Sequence, residues 1–266
     1  MANIIHANAV VSSKAVLGDN NIIGPNVVIE SGAVIGSGNK IGPGAIIFES
    51  ARMGDNNQIH AGAIIGDIPQ DISYDGAESF CRIGNNNRIR EYVTIHRGTK
   101  AGSETVIGDD TFLMGYTHVA HNCKVGNGVI TVNTAVLGGY VEVDEKAFVS
   151  ASVVIHQFCR IGKYAMLSGL SAVTQDVPPY VFCGGRVVTA AGINVVGLRR
   201  GNFSPEIRKE IKTAYKVLYR SGLNIPNALI EIEKQCSSDE VKHLLDFIRA
   251  SKRGIISGGS TDMVRF

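Results

Sequence analysis

Residues 107–125 read IGDDTFLMGYTHVAHNCKV. Ile107, Leu113, Val119 and Val125 recur in this stretch at every sixth position, and the same step continues through Thr131, Leu137, Val143, Val149, Ile155, Ile161, Leu167 and Val173. Thr131 is the one polar member. An earlier frame runs from Ile5 through Val11, Leu17, Ile23, Ile29, Ile35, Ile41, Ile47, Met53 and Ile59 to Ile65, and a short one holds Ile83, Ile89 and Ile95. A period of six is neither the helical 3.6 nor the strand period of two. Asn21, Asn39 and Asn57 stand two positions ahead of the aliphatic slot and eighteen residues apart, so three hexads complete one turn and the asparagines lie over one another. The pattern predicts a mainly β fold: a three-sided parallel β-helix with aliphatics filling a dry interior and coils stacked about 4.8 Å apart. An antiparallel sandwich would instead show strict alternation and irregular spacing.

The frame breaks across residues 66–82 and 96–106, and each break ejects a loop from the prism, where function tends to concentrate. Pro178 and Pro179 cannot continue a hydrogen-bonded ladder, so the regular coils end near them. Residues 1–190 therefore form the prism and 191–253 a C-terminal helical domain. In the latter, Ser204 caps a helix with Pro205 at its first position, and a second helix spans roughly 239–252. The Gly- and Ser-rich tail, 254–266, reads as flexible.

The chain has 266 residues and a net charge of +2, which argues against nucleic-acid binding. Its five cysteines show no close pairing, so neither a disulfide framework nor a zinc ribbon is indicated. No apolar stretch reaches membrane-spanning length, and the chain reads as cytosolic. No cofactor is implied.

With Val119 pointing inward, His121 lies outside the core on a coil surface. Gly139 follows eighteen residues later, one coil above. An imidazole that can take a proton, beside a backbone N–H that can hold an oxyanion, suits acyl transfer. Isolated surface histidines are common, and His96, His118 and His121 would also serve a zinc site of the carbonic-anhydrase type.

The segments NRIREYVTIHRGT (87–99), THVAHNC (117–123), VIHQFC (154–159), QDVPPY (175–180) and AYKVLYRSG (214–222) resemble the bacterial acyl-carrier-protein:UDP-N-acetylglucosamine O-acyltransferases, which begin lipid A synthesis. The resemblance covers nearly the whole chain. It implies a left-handed helix, a homotrimer and active sites between adjacent subunits, with acyl-carrier protein as donor and UDP-N-acetylglucosamine, or its 3-amino analogue, as acceptor. His121 would be the general base and Gly139 the oxyanion donor. His96, His118, His156, Gln157, Asn194 and Arg200 would line the substrate site, and Gln70 and Asp71 would contact the sugar. Gly169 would line the acyl pocket and leave room for a longer 3-hydroxyacyl chain. By composition, the run Arg199–Arg220 holds seven basic residues against two acidic ones, which suits either a solvated helix face or a dock for an acidic carrier protein. Four positions depart from the family: Asn122 stands where Asp is common, Tyr140 where His is, Ser73 where Lys is, and Gly201 where a second Arg is.

Overall fold

The computed structural model describes residues 2–259. Strands mostly two residues long, the first three being Ile4–Ile5, Val10–Val11 and Val16–Leu17, take successive hexads to three different faces. Among the described residues the faces hold eleven, nine and eight strands, and the stacking within each is parallel except for one closing hairpin. The fold is a left-handed parallel β-helix with C-terminal helices.

The aliphatic slots from Ile23 to Val173 point inward, and Ile47, Ile65, Ile95, Leu113 and Val119 are wholly buried. Burying each such side chain is worth about 1.5–3 kcal/mol. Thr131 sits in the same dry interior because its hydroxyl has a partner there, Thr117 Oγ1 at 3.0 Å. That pairing meets the usual requirement on a buried polar group.

The asparagine column runs further than its spacing suggests. Asn39 N donates to Asn21 Oδ1 at 2.8 Å, Asn57 N to Asn39 Oδ1 at 2.8 Å, Asn87 N to Asn57 Oδ1 at 2.9 Å and Thr111 N to Asn87 Oδ1 at 2.8 Å. The last two steps span 30 and 24 residues instead of 18. Those longer coils carry the ejected loops.

The loops are shorter than the frame breaks imply. Strands Ile64–Asp67 and Phe80–Ile83 bound the first, while Thr94–His96 and Glu104–Ile107 bound the second. Backbone pairing thus persists outward to Asp67 and His96 before the chain leaves the prism. Both loops emerge at the corner between the second and third faces.

The prism closes with strand Val181–Gly184, which pairs with Met166–Leu167 and turns back antiparallel through Thr189–Ile193. Four helices follow: α1 (Val195–Arg200), α2 (Pro205–Arg220), α3 (Ile225–Gln235) and α4 (Asp239–Arg249). Ser204 caps α2 as its sequence suggests, accepting from Ile207 N. α1 and α3 were not anticipated, although Asn224 and Pro226 mark the start of α3 in the same way. Among the described residues no helix is long and apolar enough to cross a membrane.

The tail departs from the expectation of flexibility. Ile255 and Ile256 are buried, Asp176 N donates to Gly254 O at 2.9 Å, and Ile256 N donates to Asp176 O at 3.0 Å. Two isoleucines set among glycine and serine supply the apolar contact that holds this segment against the end of the prism. Residues 260–266 of the expected flexible segment lie outside the described residues.

Candidate active site

His121 lies two residues past strand His118–Val119, at the corner that also ejects both loops. Contrary to the exposed position expected from the repeat, its residue surface is only 8% exposed. Tyr140 stands edge-on to its ring at 5.3 Å, and Asp71 of the first loop reaches within 3.6 Å of Nε2. Gly139 covers the imidazole from the coil above. A methyl group built at 139 would overlap Cε1 and come to 2.5 Å from Nε2, so the ring occupies the space a side chain would need. The Gly139 N–H donates to no protein acceptor among the described residues.

Each ring nitrogen of His121 has its own neighbour. Nδ1 is 3.1 Å from Asn122 Oδ1, and Nε2 faces the Asp71 carboxylate. Asp71 is itself oriented by the Ser73 N–H at 2.9 Å and the Ser73 hydroxyl at 2.8 Å. These two bonds hold its carboxyl below the usual carboxylate range, with the nearby imidazole adding to the effect. Ser73, one of the departures, therefore has a definite task in this chain. Gln70 is exposed on the same loop.

His118 and His96 form an edge-to-face pair at 4.9 Å beside this corner. His118 Nδ1 is bonded to Thr94 Oγ1 at 2.7 Å. Burial, followed by repulsion from His96 and His121, pushes the His118 imidazole down to about 4. Burial likewise lowers His96, whose buried Nδ1 has no partner among the described residues. Both rings are thus neutral hydrogen-bonding groups near neutral pH. His156 and Gln157 are exposed two coils above His121, and His156 Nδ1 lies 3.0 Å from Gln157 O.

The remaining candidates lie elsewhere on the chain. Gly169 is exposed at the corner between the first and second faces. Asn194 and Arg200, at the two ends of α1, line a cavity of about 400 Å³ against the first face. The Asn194 amide is committed at both ends, accepting from Gly197 N and donating to Tyr164 O, each at 2.9 Å.

Cys123, two residues from His121, is not a nucleophile paired with that imidazole. Its thiol donates to Gly138 O at 3.1 Å, and burial pushes it up to about 12. Among the described residues no three His, Cys, Asp or Glu side chains converge with metal-holding geometry. One residue of this corner escaped the sequence reading: Thr99, which sits 3.1 Å (N) and 3.0 Å (Oγ1) from Asn122 Oδ1. Only its place at the end of the 87–99 motif marks it.

A stacked-hexad prism with an imidazole beneath a glycine N–H fits an acyltransferase of the hexapeptide-repeat class. The bacterial transferase hexapeptide family matches residues 14–49 and 104–139, and the family described as Udp N-acetylglucosamine O-acyltransferase, Domain 2, matches residues 176–256. An acyl-[acyl-carrier-protein]–UDP-N-acetylglucosamine O-acyltransferase of Thermodesulfovibrio yellowstonii is 46% identical over 193 residues, covering 72% of this chain and 75% of its own. The solved UDP-N-acetylglucosamine acyltransferase of Bacteroides fragilis is 42% identical, with a TM-score of 0.93 over 95% of this chain and 100% of its own. That of Francisella novicida is 39% identical, with a TM-score of 0.91 over 98% and 96%. The chain belongs to the UDP-N-acetylglucosamine O-acyltransferase family.

Proposed function

We propose that this acyltransferase moves a 3-hydroxyacyl chain from acyl-carrier protein to the 3-hydroxyl of UDP-N-acetylglucosamine, the opening step of lipid A synthesis, with His121 as general base. The observation that carries the reading is the pairing of His121 with the unoccupied N–H of Gly139 one coil above. With a proton on Nδ1 directed at Asn122 Oδ1, Nε2 keeps the lone pair. The sugar hydroxyl gives its proton to Nε2 as its oxygen attacks the thioester carbonyl. The new oxyanion is held by the Gly139 N–H. As the C–S bond breaks, the imidazolium returns the proton to the departing carrier thiolate.

Asn122 is neutral and stabilises the imidazolium less well than an aspartate would. Asp71, 3.6 Å from Nε2, supplies a negative charge on the opposite side of the ring. Gln70 and Asp71 would contact the sugar, with His96, His118, His156 and Gln157 around it. Arg200 would meet the charged part of the nucleotide, and Asn194 would act through α1, whose start it caps. These two groups of residues sit at separate places on one chain. That separation supports a homotrimer in which adjacent subunits complete each site, with Gly169 bordering a pocket for a long acyl chain. Five cysteines, all buried and unpaired, support a cytoplasmic setting.

The test presents UDP-N-acetylglucosamine and its 3-amino analogue separately, each with 3-hydroxyacyl-carrier protein. Faster transfer to the 3-hydroxyl sugar is expected; preference for the amine would make the enzyme an N-acyltransferase. His121→Ala should lower kcat/KM by about 10²–10⁴-fold. Near-full activity in that variant would remove His121 as the base.

A further inference from the structure

Asn122 and Tyr140 are two departures on neighbouring coils, and Thr99 joins them. Asn122 Oδ1 lies 3.1 Å from His121 Nδ1, 3.1 Å from the Thr99 backbone nitrogen and 3.0 Å from Thr99 Oγ1. The Tyr140 hydroxyl is 3.1 Å from Thr99 Oγ1. Thr99 is buried, and the Asn122 backbone is pinned by its own N–H to Thr105 Oγ1 at 2.7 Å.

Donor and acceptor chemistry fixes which end of the Asn122 amide faces Thr99. A backbone N–H can only donate, so the end of the Asn122 amide facing Thr99 is the oxygen. The Thr99 hydroxyl gives its hydrogen to that same oxygen, which leaves its own lone pair to accept from Tyr140. His121 Nδ1 faces the same amide oxygen within hydrogen-bond distance and therefore carries the ring proton. Nε2, 3.6 Å from the Asp71 carboxylate and beyond hydrogen-bond reach of it, is the nitrogen left to act as base. If the amide were turned over, its NH₂ would face Nδ1. The proton would then move to Nε2 and the base would be lost. A carboxylate at 122 has two equivalent oxygens and no wrong end. An asparagine has one, and needs a separate group to hold it.

We propose that Thr99, backed by the Tyr140 hydroxyl, is a positioning residue that sets the tautomer of His121 by holding the Asn122 amide oxygen-first. This rests on the reading of His121 Nε2 as the base. It predicts that Thr99 matters only while residue 122 is an amide.

The experiment is a double-mutant cycle between Thr99→Val and Asn122→Asp, read by kcat, KM and the ¹⁵N resonances of the His121 ring. Thr99→Val retains the backbone N–H and removes the hydroxyl. In the native background it should lower kcat about tenfold with KM little changed. The ring should shift from a single Nδ1–H tautomer to a mixture. In the Asn122→Asp background the same change should cost less than about twofold. Thr99→Ser should restore native values, and Tyr140→Phe should move kcat and tautomer in the direction of Thr99→Val by a smaller amount. An equal cost in both backgrounds would mean that Thr99 merely supports the loop, and the proposal would fall. An unchanged tautomer in Thr99→Val would overturn it as well. Because the tautomer is read without turnover, failure here is distinguishable from failure of His121→Ala to lose activity.

Discussion

Two corners of the prism, built from the same hexad, treat the same backbone group in opposite ways. Between the third and first faces, in the five coils from Asp19 to Asp109, the second residue after the strand offers its N–H to the side chain one coil up. Asp19 N is caught by Ser37 Oγ at 3.0 Å, Ser37 N by Asp55 at 2.6 Å, Asp55 N by Asn85 at 2.8 Å, Asn85 N by Asp109 at 2.6 Å and Asp109 N by Asn127 at 2.8 Å. Between the second and third faces the equivalent slot holds His121, Gly139 and Gln157. There Gln157 leaves the Gly139 N–H uncaught, and His121 fills the space beneath it. What marks the reactive corner is an uncaught N–H that lies directly over an imidazole. The backbone itself hardly differs.

The sharpest way to break that contrast is to fill the reactive slot. Gly139→Ala places a methyl against the His121 ring, which must shift away from the N–H above it. We expect kcat to fall by about 10²–10³-fold with little loss of stability. Full activity in this variant would mean that ring and N–H do not act together. The opposite corner should respond in the opposite currency. Asn39→Leu leaves the buried Asn57 N–H without its acceptor and should cost about 1–3 kcal/mol, read as a lower Tm, with kcat unchanged in the folded fraction. A drop in kcat without a drop in Tm would blur the distinction.

The smallest effect concerns pH. His118 is depressed from 6.5 to about 4, so between those values the unfolded chain holds more protons than the folded one. Stability from this group is complete above 6.5 and declines as pH falls toward 4. The Tm of native protein should therefore fall more steeply on acidification through that window than the Tm of His118→Gln. Parallel curves would show that His118 is not held neutral.

The inward slots were legible because six-residue spacing leaves no other arrangement for so many aliphatics. Asn21, Asn39 and Asn57 could be stacked on paper for the same reason. Asn87 and Thr111 could not, because the ejected loops stretch the interval between coils to 30 and 24 residues and conceal the column. His121 was placed on the right coil and given too much exposure, since the covering groups come from a loop whose path no period describes. Thr99 was invisible for that reason too: its bond to Asn122 crosses 23 residues through the second loop. Ile255 and Ile256 were hidden by the glycine and serine around them, which outweighed two buried side chains in composition.

His121 and Gly139 are one coil apart, so the backbones that carry the base and the oxyanion donor are separated by the pitch of the prism, about 4.8 Å. That backbone separation is in effect a lattice constant, repeated along the whole column whether or not chemistry uses it. Whole coils can be gained or lost at a distance from residues 105–160 without altering it. A single residue inserted between 121 and 139 would instead turn the glycine out of the column. Such a scaffold can vary in length as its lineage diverges while the active-site spacing stays constant.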